Sequence, residues 1–138
     1  MKAMILAAGE ALRLRPLTLE CTKAMLPIGG RPLLYYLIRL LQVHGITEIA
    51  INLHYRPEDI VGYFGDGHNF GVQITYSWEQ ELLGTAGAVK RLRDFFTDAF
   101  LVIYGDLLTT VNLRELVDYH QSKAGLVTMA PYQVDNPE

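Results

Sequence analysis

A run of small residues, Ala7-Ala8-Gly9, closes an apolar stretch and leads into a segment that carries Arg13 and Lys23. Small residues there let backbone amides come close to a ligand. Arginine offers a planar fork to phosphate oxygens and lysine a compact point charge, a pairing suited to a polyphosphate. The charge distribution points the same way. Residues 1–31 hold five basic side chains (Lys2, Arg13, Arg15, Lys23, Arg31) against two acidic ones (Glu10, Glu20), while the remainder holds seven against thirteen. Read alone, these residues fit a glycine turn with solvated surface charges equally well. The glycine spacing matches neither G-x-G-x-x-G nor G-x-x-x-x-G-K-[ST], which disfavours a dinucleotide dehydrogenase and a P-loop NTPase.

Elements that could hold such a site follow from the hydropathy pattern. Residues 2–8 read as a buried strand, and 9–23 as a long loop of the kind that is usually functional. A short apolar piece at 24–28 ends in the turn Gly29-Gly30. Pro32 suits a helix start and Gly45 a stop, so 33–44 reads as a helix, apolar nearly all round. Strands are expected at 48–53, 72–78, 100–104 and 126–130, and helices at 57–64, 85–96 and 112–123. Asn112 with Glu115 marks a capped start for the last of these. Strand–helix alternation with Val/Ile/Leu-rich strands predicts an α/β fold, three-layer α/β/α, with a mostly parallel sheet covered on both faces. In such sheets ligands sit at the carboxyl ends of the strands.

The 138 residues amount to one domain's worth; half are apolar and a fifth charged, which excludes disorder and allows a sizeable core. A net charge of −3 argues against a partner held by its phosphate backbone or a membrane surface, so neither nucleic acid nor membrane is expected. The single cysteine, Cys21, excludes an intrachain disulfide and a Cys-only zinc site. No apolar run approaches a membrane span, and a cytoplasmic location is expected. Cys21 beside Thr22-Lys23 could be a reactive thiol, though packing is the commoner role. His44, His54, His68 and His120 lack metal-ligand spacing and read as surface or packing residues. The stretch 33–41 reads as core before partner surface.

Residues 5–18, ILAAGEALRLRPLT, and 21–34, CTKAMLPIGGRPLL, resemble the signature of the sugar-1-phosphate nucleotidylyltransferases: L-A-A-G-x-G-T-R-L-x-P-L-T, then P-K-x-L-L-P, then G-x-P-L. Leu83-Gly84-Thr85-Ala86-Gly87 and Tyr104-Gly105-Asp106 agree as well, in order and at the family's spacing. The resemblance implies a Rossmann-like core that joins an NTP to a sugar 1-phosphate and releases pyrophosphate. It also implies roles. Ala7, Ala8 and Gly9 would line the nucleotide, Arg13 would hold the β- and γ-phosphates, and Lys23 would bridge the α-phosphate and the sugar phosphate. Asp106 would help hold Mg²⁺, a hard cation that prefers carboxylate and water oxygens. Gly84 would leave room for the nucleobase or sugar. Thr85 would touch substrate, with an ordinary helix N-cap as the equal alternative. The position matching Glu79 contacts the nucleobase edge in the family. Glutamate only accepts, which suits the adjacent N–H donors of guanine and favours GTP and a mannose-1-phosphate guanylyltransferase-like enzyme. Glu81 lies close enough to compete for that assignment.

Three departures from the family pattern stand out. Ala11 and Leu12 replace a glycine and a threonine, which forfeits easy access to positive φ and a hydroxyl near the triphosphate, and Thr22 replaces a proline. Family catalytic domains also run longer, their later part supplying a second metal-binding aspartate, a further lysine and most of the sugar pocket. Residues 1–138 are therefore expected to be the N-terminal nucleotide-binding part, with 134–138 resembling the turn before that later part. The competing expectation is a non-catalytic nucleotide- or nucleotide-sugar-binding module, or a regulatory subunit. Homo-oligomerisation through an exposed apolar face stays open.

Overall fold

Strands rich in Val, Ile and Leu have no polar face to give to water, and a parallel sheet with helices on both sides covers them. The computed structural model describes residues 1–131. In chain order it contains β1 (Lys2–Leu6), β2 (Pro27–Ile28), β3 (Arg31–Pro32), α1 (Leu33–Val43), β4 (Glu48–Leu53) and α2 (Pro57–Phe64). There follow β5 (Gln73–Trp78), α3 (Gly84–Arg91), β6 (Phe100–Tyr104) and α4 (Leu113–Lys123). The main sheet has the order β5-β4-β1-β6 and every neighbouring pair is parallel, as the alternation predicts. β2 and β3 form a separate two-stranded ribbon around Gly29-Gly30.

The core gathers on one face of the sheet. Ala3 and Ile5 of β1 and Ile49, Ile51 and Leu53 of β4 join Leu34, Leu37, Ile38 and Leu41 of α1 and Ile60 and Phe64 of α2 in one cluster. The stretch 33–41 is thus core. Met4 and Ala50 point to the opposite face by strand alternation and are also fully buried. There α3 packs on β1 and buries Ala88. β6 is less covered: among the described residues it pairs with β1 alone, and Val102 and Tyr104 are exposed.

Three expected elements come out differently. The first strand stops at Leu6 rather than residue 8, because the Ala7 N–H bonds a side chain. The helix expected over 85–96 runs from Gly84 to Arg91, and tighter backbone bonds (Leu92 to Val89, Arg93 to Lys90) end it. Phe96 then stacks on Phe100, with ring centroids 4.1 Å apart, which docks the following turn against β6. Residues 126–130 are not a strand: Leu126, Val127 and Met129 are exposed, and nothing among the described residues hydrogen-bonds them as a sheet neighbour. Strand propensity needs a ladder to be realised. The turn expected at 134–138 lies outside the described residues.

Leu34→Ala is expected to destabilise the fold by about 2–5 kcal/mol, whereas Leu126→Ala should stay within about 0.5 kcal/mol of wild type. Denaturant titrations of the two variants check this. Comparable losses would contradict the assigned core.

Candidate functional site

The parallel register levels three strand ends. Leu6 of β1 stands opposite Asn52 of β4 and Tyr104 of β6, so the segments leaving β1, β4 and β6 emerge side by side. Gly105 makes this closeness possible. Its N–H donates to the Leu6 carbonyl at 2.8 Å, and an added Cβ would meet that oxygen at 2.8 Å and the Ala7 Cβ at 3.2 Å.

Asp106 follows, and its Oδ2 accepts from Lys23 Nζ at 2.6 Å across 83 residues of sequence. The two side chains remain about one-third and two-fifths exposed, open to exchange with a ligand. Lys23 sits on a turn over residues 23–25 that buried Ala24 anchors beside α1. The structure therefore brings these two expected residues into contact. Arg13 stands exposed on the turn 12–14 and makes no salt bridge among the described residues.

The loop between β1 and that lysine is pinned from inside. Thr18 is buried and its hydroxyl donates to the Ala11 carbonyl at 3.1 Å, while the Tyr55 hydroxyl donates to the Thr18 carbonyl at 3.2 Å. Ala11 adopts φ 49° and ψ 46°, the left-handed conformation that a glycine reaches without strain. Leu12 is exposed. Cys21 bonds weakly through Sγ to the Leu17 carbonyl at 3.7 Å. Its thiol pKa is raised by partial burial first and by the Asp59 carboxylate second, which disfavours the thiolate.

Glu79 follows β5 and is 6% exposed. Its Oε1 accepts from Asn52 Nδ2 at 2.9 Å and its Oε2 from the Leu83 N–H at 3.0 Å. Asn52 Oδ1 in turn accepts from the Ala7 N–H at 2.8 Å. Ala7 therefore has no free amide to offer, and Ala8 and Gly9 are the expected residues whose amides bond nothing among the described residues. Glu81 is exposed and makes no salt bridge among the described residues.

Gly84 has φ +67° with open space where a Cβ would stand. The residue before α3 is Leu83, so Thr85 is no N-cap; its hydroxyl lies 3.4 Å from that of Tyr104. By contrast, Asn112 caps α4 as expected, accepting from the Arg114 and Glu115 amides.

The sequence reading does not single out Asn52, Thr18 or Tyr55, and His54 keeps the packing role expected of it. His54 lies with Nδ1 2.9 Å from the Glu79 carbonyl and Nε2 3.9 Å from Glu10. The one visible signal was Asn52, a polar residue at the carboxyl end of the otherwise apolar IAINL. Among the described residues no group of three His, Cys, Asp or Glu side chains is placed to hold a metal. No helix of these residues is long and apolar enough to cross a membrane.

Against known proteins, residues 2–138 match the nucleotidyl transferase family. UTP–glucose-1-phosphate uridylyltransferase of Synechocystis sp. is 40% identical over an alignment covering 94% of this chain and 36% of that protein. Mannose-1-phosphate guanylyltransferase of Mycobacterium tuberculosis is 36% identical, covering 98% and 38%. Among solved structures, a putative glucose-1-phosphate thymidylyltransferase from Bacillus anthracis in complex with a sucrose aligns with a TM-score of 0.80 at 33% identity, covering 88% of this chain and 50% of that one. HddC from Yersinia pseudotuberculosis complexed with GMP-PN aligns with a TM-score of 0.77 at 28% identity, covering 86% and 53%. The chain spans about two-fifths of the curated relatives it matches.

Two measurements check the loop. Ala11→Gly should raise stability by about 0.5–1 kcal/mol, since relief of left-handed strain outweighs the added freedom of the unfolded chain. Cys21 should react with a thiol-specific disulfide reagent more slowly at pH 8 than free cysteine does, because a raised pKa leaves less thiolate. Faster reaction would contradict the raised pKa.

Proposed function

Because the chain belongs to the nucleotidyl transferase family, we propose that it carries the NTP-binding part of an enzyme that transfers a nucleoside monophosphate to a sugar 1-phosphate. Pyrophosphate is the other product. The observation that carries this reading is the contact of Lys23 with Asp106 at the shared carboxyl edge of β1 and β6. A cation for phosphate and a carboxylate for a metal stand together where parallel sheets receive ligands.

The sugar phosphate oxygen is itself the nucleophile and attacks the α-phosphorus, so no strong base is required. The protein has to align two anions and offset charge on the leaving pyrophosphate. Lys23, released from Asp106, would reach the α-phosphate and the sugar phosphate. Arg13 would take the β- and γ-phosphates, and the Ala8 and Gly9 amides would face the nucleotide. Gly84 would leave room for base or sugar, with Thr85 beside it. Glu79 would accept from the N–H edge of guanine, which favours GTP. Asp106 suits Mg²⁺ as a single carboxylate, and nucleotide phosphates would complete the shell, a common mode for this cation. When bound, Mg²⁺ would neutralise charge on the pyrophosphate.

A non-catalytic nucleotide-binding module is the second reading. It is favoured by exposed Leu12 in place of a phosphate-binding hydroxyl.

A pyrophosphate-release assay with each NTP, Mg²⁺ and sugar 1-phosphates separates the two readings, and turnover excludes the second. Under either, Arg13→Ala should weaken GTP binding about tenfold or more in calorimetry. The ion pair adds a linked expectation. Asp106→Asn should tighten GTP binding without Mg²⁺, by freeing Lys23, and remove the gain that Mg²⁺ gives wild type. Equal Mg²⁺ dependence in the two proteins would remove Asp106 from the metal site.

A further inference from the structure

Asn52 and Ser77 are the two polar residues that the described strands bury, and Asn52 is the one bonded to the site. It is 4% exposed, opposite Leu6 on one side and Ser77 on the other. A buried primary amide must satisfy both its ends, and here its neighbours fix which way round it lies. The Ala7 N–H can only donate, so Oδ1 faces it; the Glu79 carboxylate can only accept, so Nδ2 faces that. The result is a one-way chain of donors from Ala7 through Asn52 to Glu79, joined from the other side by the Leu83 N–H.

Two consequences follow. Each Glu79 oxygen accepts one bond from the protein, at 2.9 and 3.0 Å, which fixes the plane of the carboxylate. A carboxylate has room for about four bonds, so each oxygen keeps capacity for one more. A ligand edge with two adjacent N–H donors fills that capacity. An edge with one donor leaves an oxygen short.

We propose that Asn52 is a positioning residue for nucleobase selection, acting through Glu79: it orients the carboxylate for a base edge that presents two adjacent N–H donors. The proposal rests on the nucleotide-binding reading above and adds to it the residue that sets selectivity. Asn52 touches no substrate. Its second task is to occupy the Ala7 amide, so that nucleotide phosphates meet Ala8 and Gly9.

The test compares GTP with ITP, which lacks the 2-amino donor, by calorimetry with Mg²⁺ on the 138-residue chain. Wild type should prefer GTP about tenfold or more, since a bond to a charged acceptor is lost with ITP. In Asn52→Ala the preference should fall below about threefold, because the carboxylate loses its fixed plane. In Asn52→Asp the shape and the Ala7 bond survive, but a second carboxyl faces Glu79. The two carboxyls repel and turn Glu79 out of its fixed plane, so the preference for GTP over ITP should fall here as well. Thermal melts identify the folded variants, and Asn52→Asp carries the test if Asn52→Ala does not fold.

A purely structural role predicts equal loss for GTP and ITP with the ratio kept; that result overturns the proposal. Wild type that binds neither nucleotide overturns the nucleotide-binding reading itself. Wild type that binds both equally overturns the role of Glu79 and, with it, that of Asn52.

Discussion

β1 runs between two parallel neighbours in level register, and everything at the site depends on that placement. Parallel strands point their carboxyl ends the same way, so loops far apart in sequence leave the sheet from one edge. The third strand end in the row, Tyr104, is drawn in by Gly105, which has no Cβ to strike the Leu6 carbonyl. Without that approach Asp106 would stand away from the loop that carries Lys23. Buried Ala24 and the ribbon of β2 and β3 then fix where that loop returns to α1.

Two polar pairs at this edge work in opposite ways. Lys23 and Asp106 are partly exposed, and such ion pairs contribute about 0–1 kcal/mol, so a phosphate and a cation can separate them with little loss. Glu79 is buried and held by two N–H donors, and removing either would leave a charge short of partners away from water. One pair is built to exchange and the other to stay. The proposed nucleotide site would need both kinds, one to admit a polyanion and one to tell bases apart.

Most of the fold was legible in the sequence, for a definite reason. β6 falls at the expected bounds because its apolar run ends at Gly105-Asp106, β4 because its apolar run gives way to polar residues at His54, and α4 begins at the expected cap because Asn112 acts within two or three residues. Residues 126–130 misled because their composition suits a strand while a strand requires a neighbour that local composition does not report. Lys23 and Asp106 came from motif resemblance, and their contact needed the fold. Asn52 was hidden for a related reason: its partners lie 45 and 27 residues away, and its role exists only in their arrangement. Ala11 shows the reverse. Alanine resists the left-handed region, yet the loop imposes it, with Thr18 tying down its carbonyl.

The uneven covering of the sheet has a dynamic consequence. Among the described residues, the cluster over β1, β4 and β5 draws nearly all its members from the first 74, with only Ile103 and Leu113 from beyond. Local opening is easiest where few apolar groups are buried. Amide hydrogens of β6 and α4 should therefore exchange with solvent through partial openings, while those of β1 and β4 wait for the whole domain to unfold. The ion pair straddles that boundary, with its lysine on the slowly opening half and its aspartate on the half that opens first.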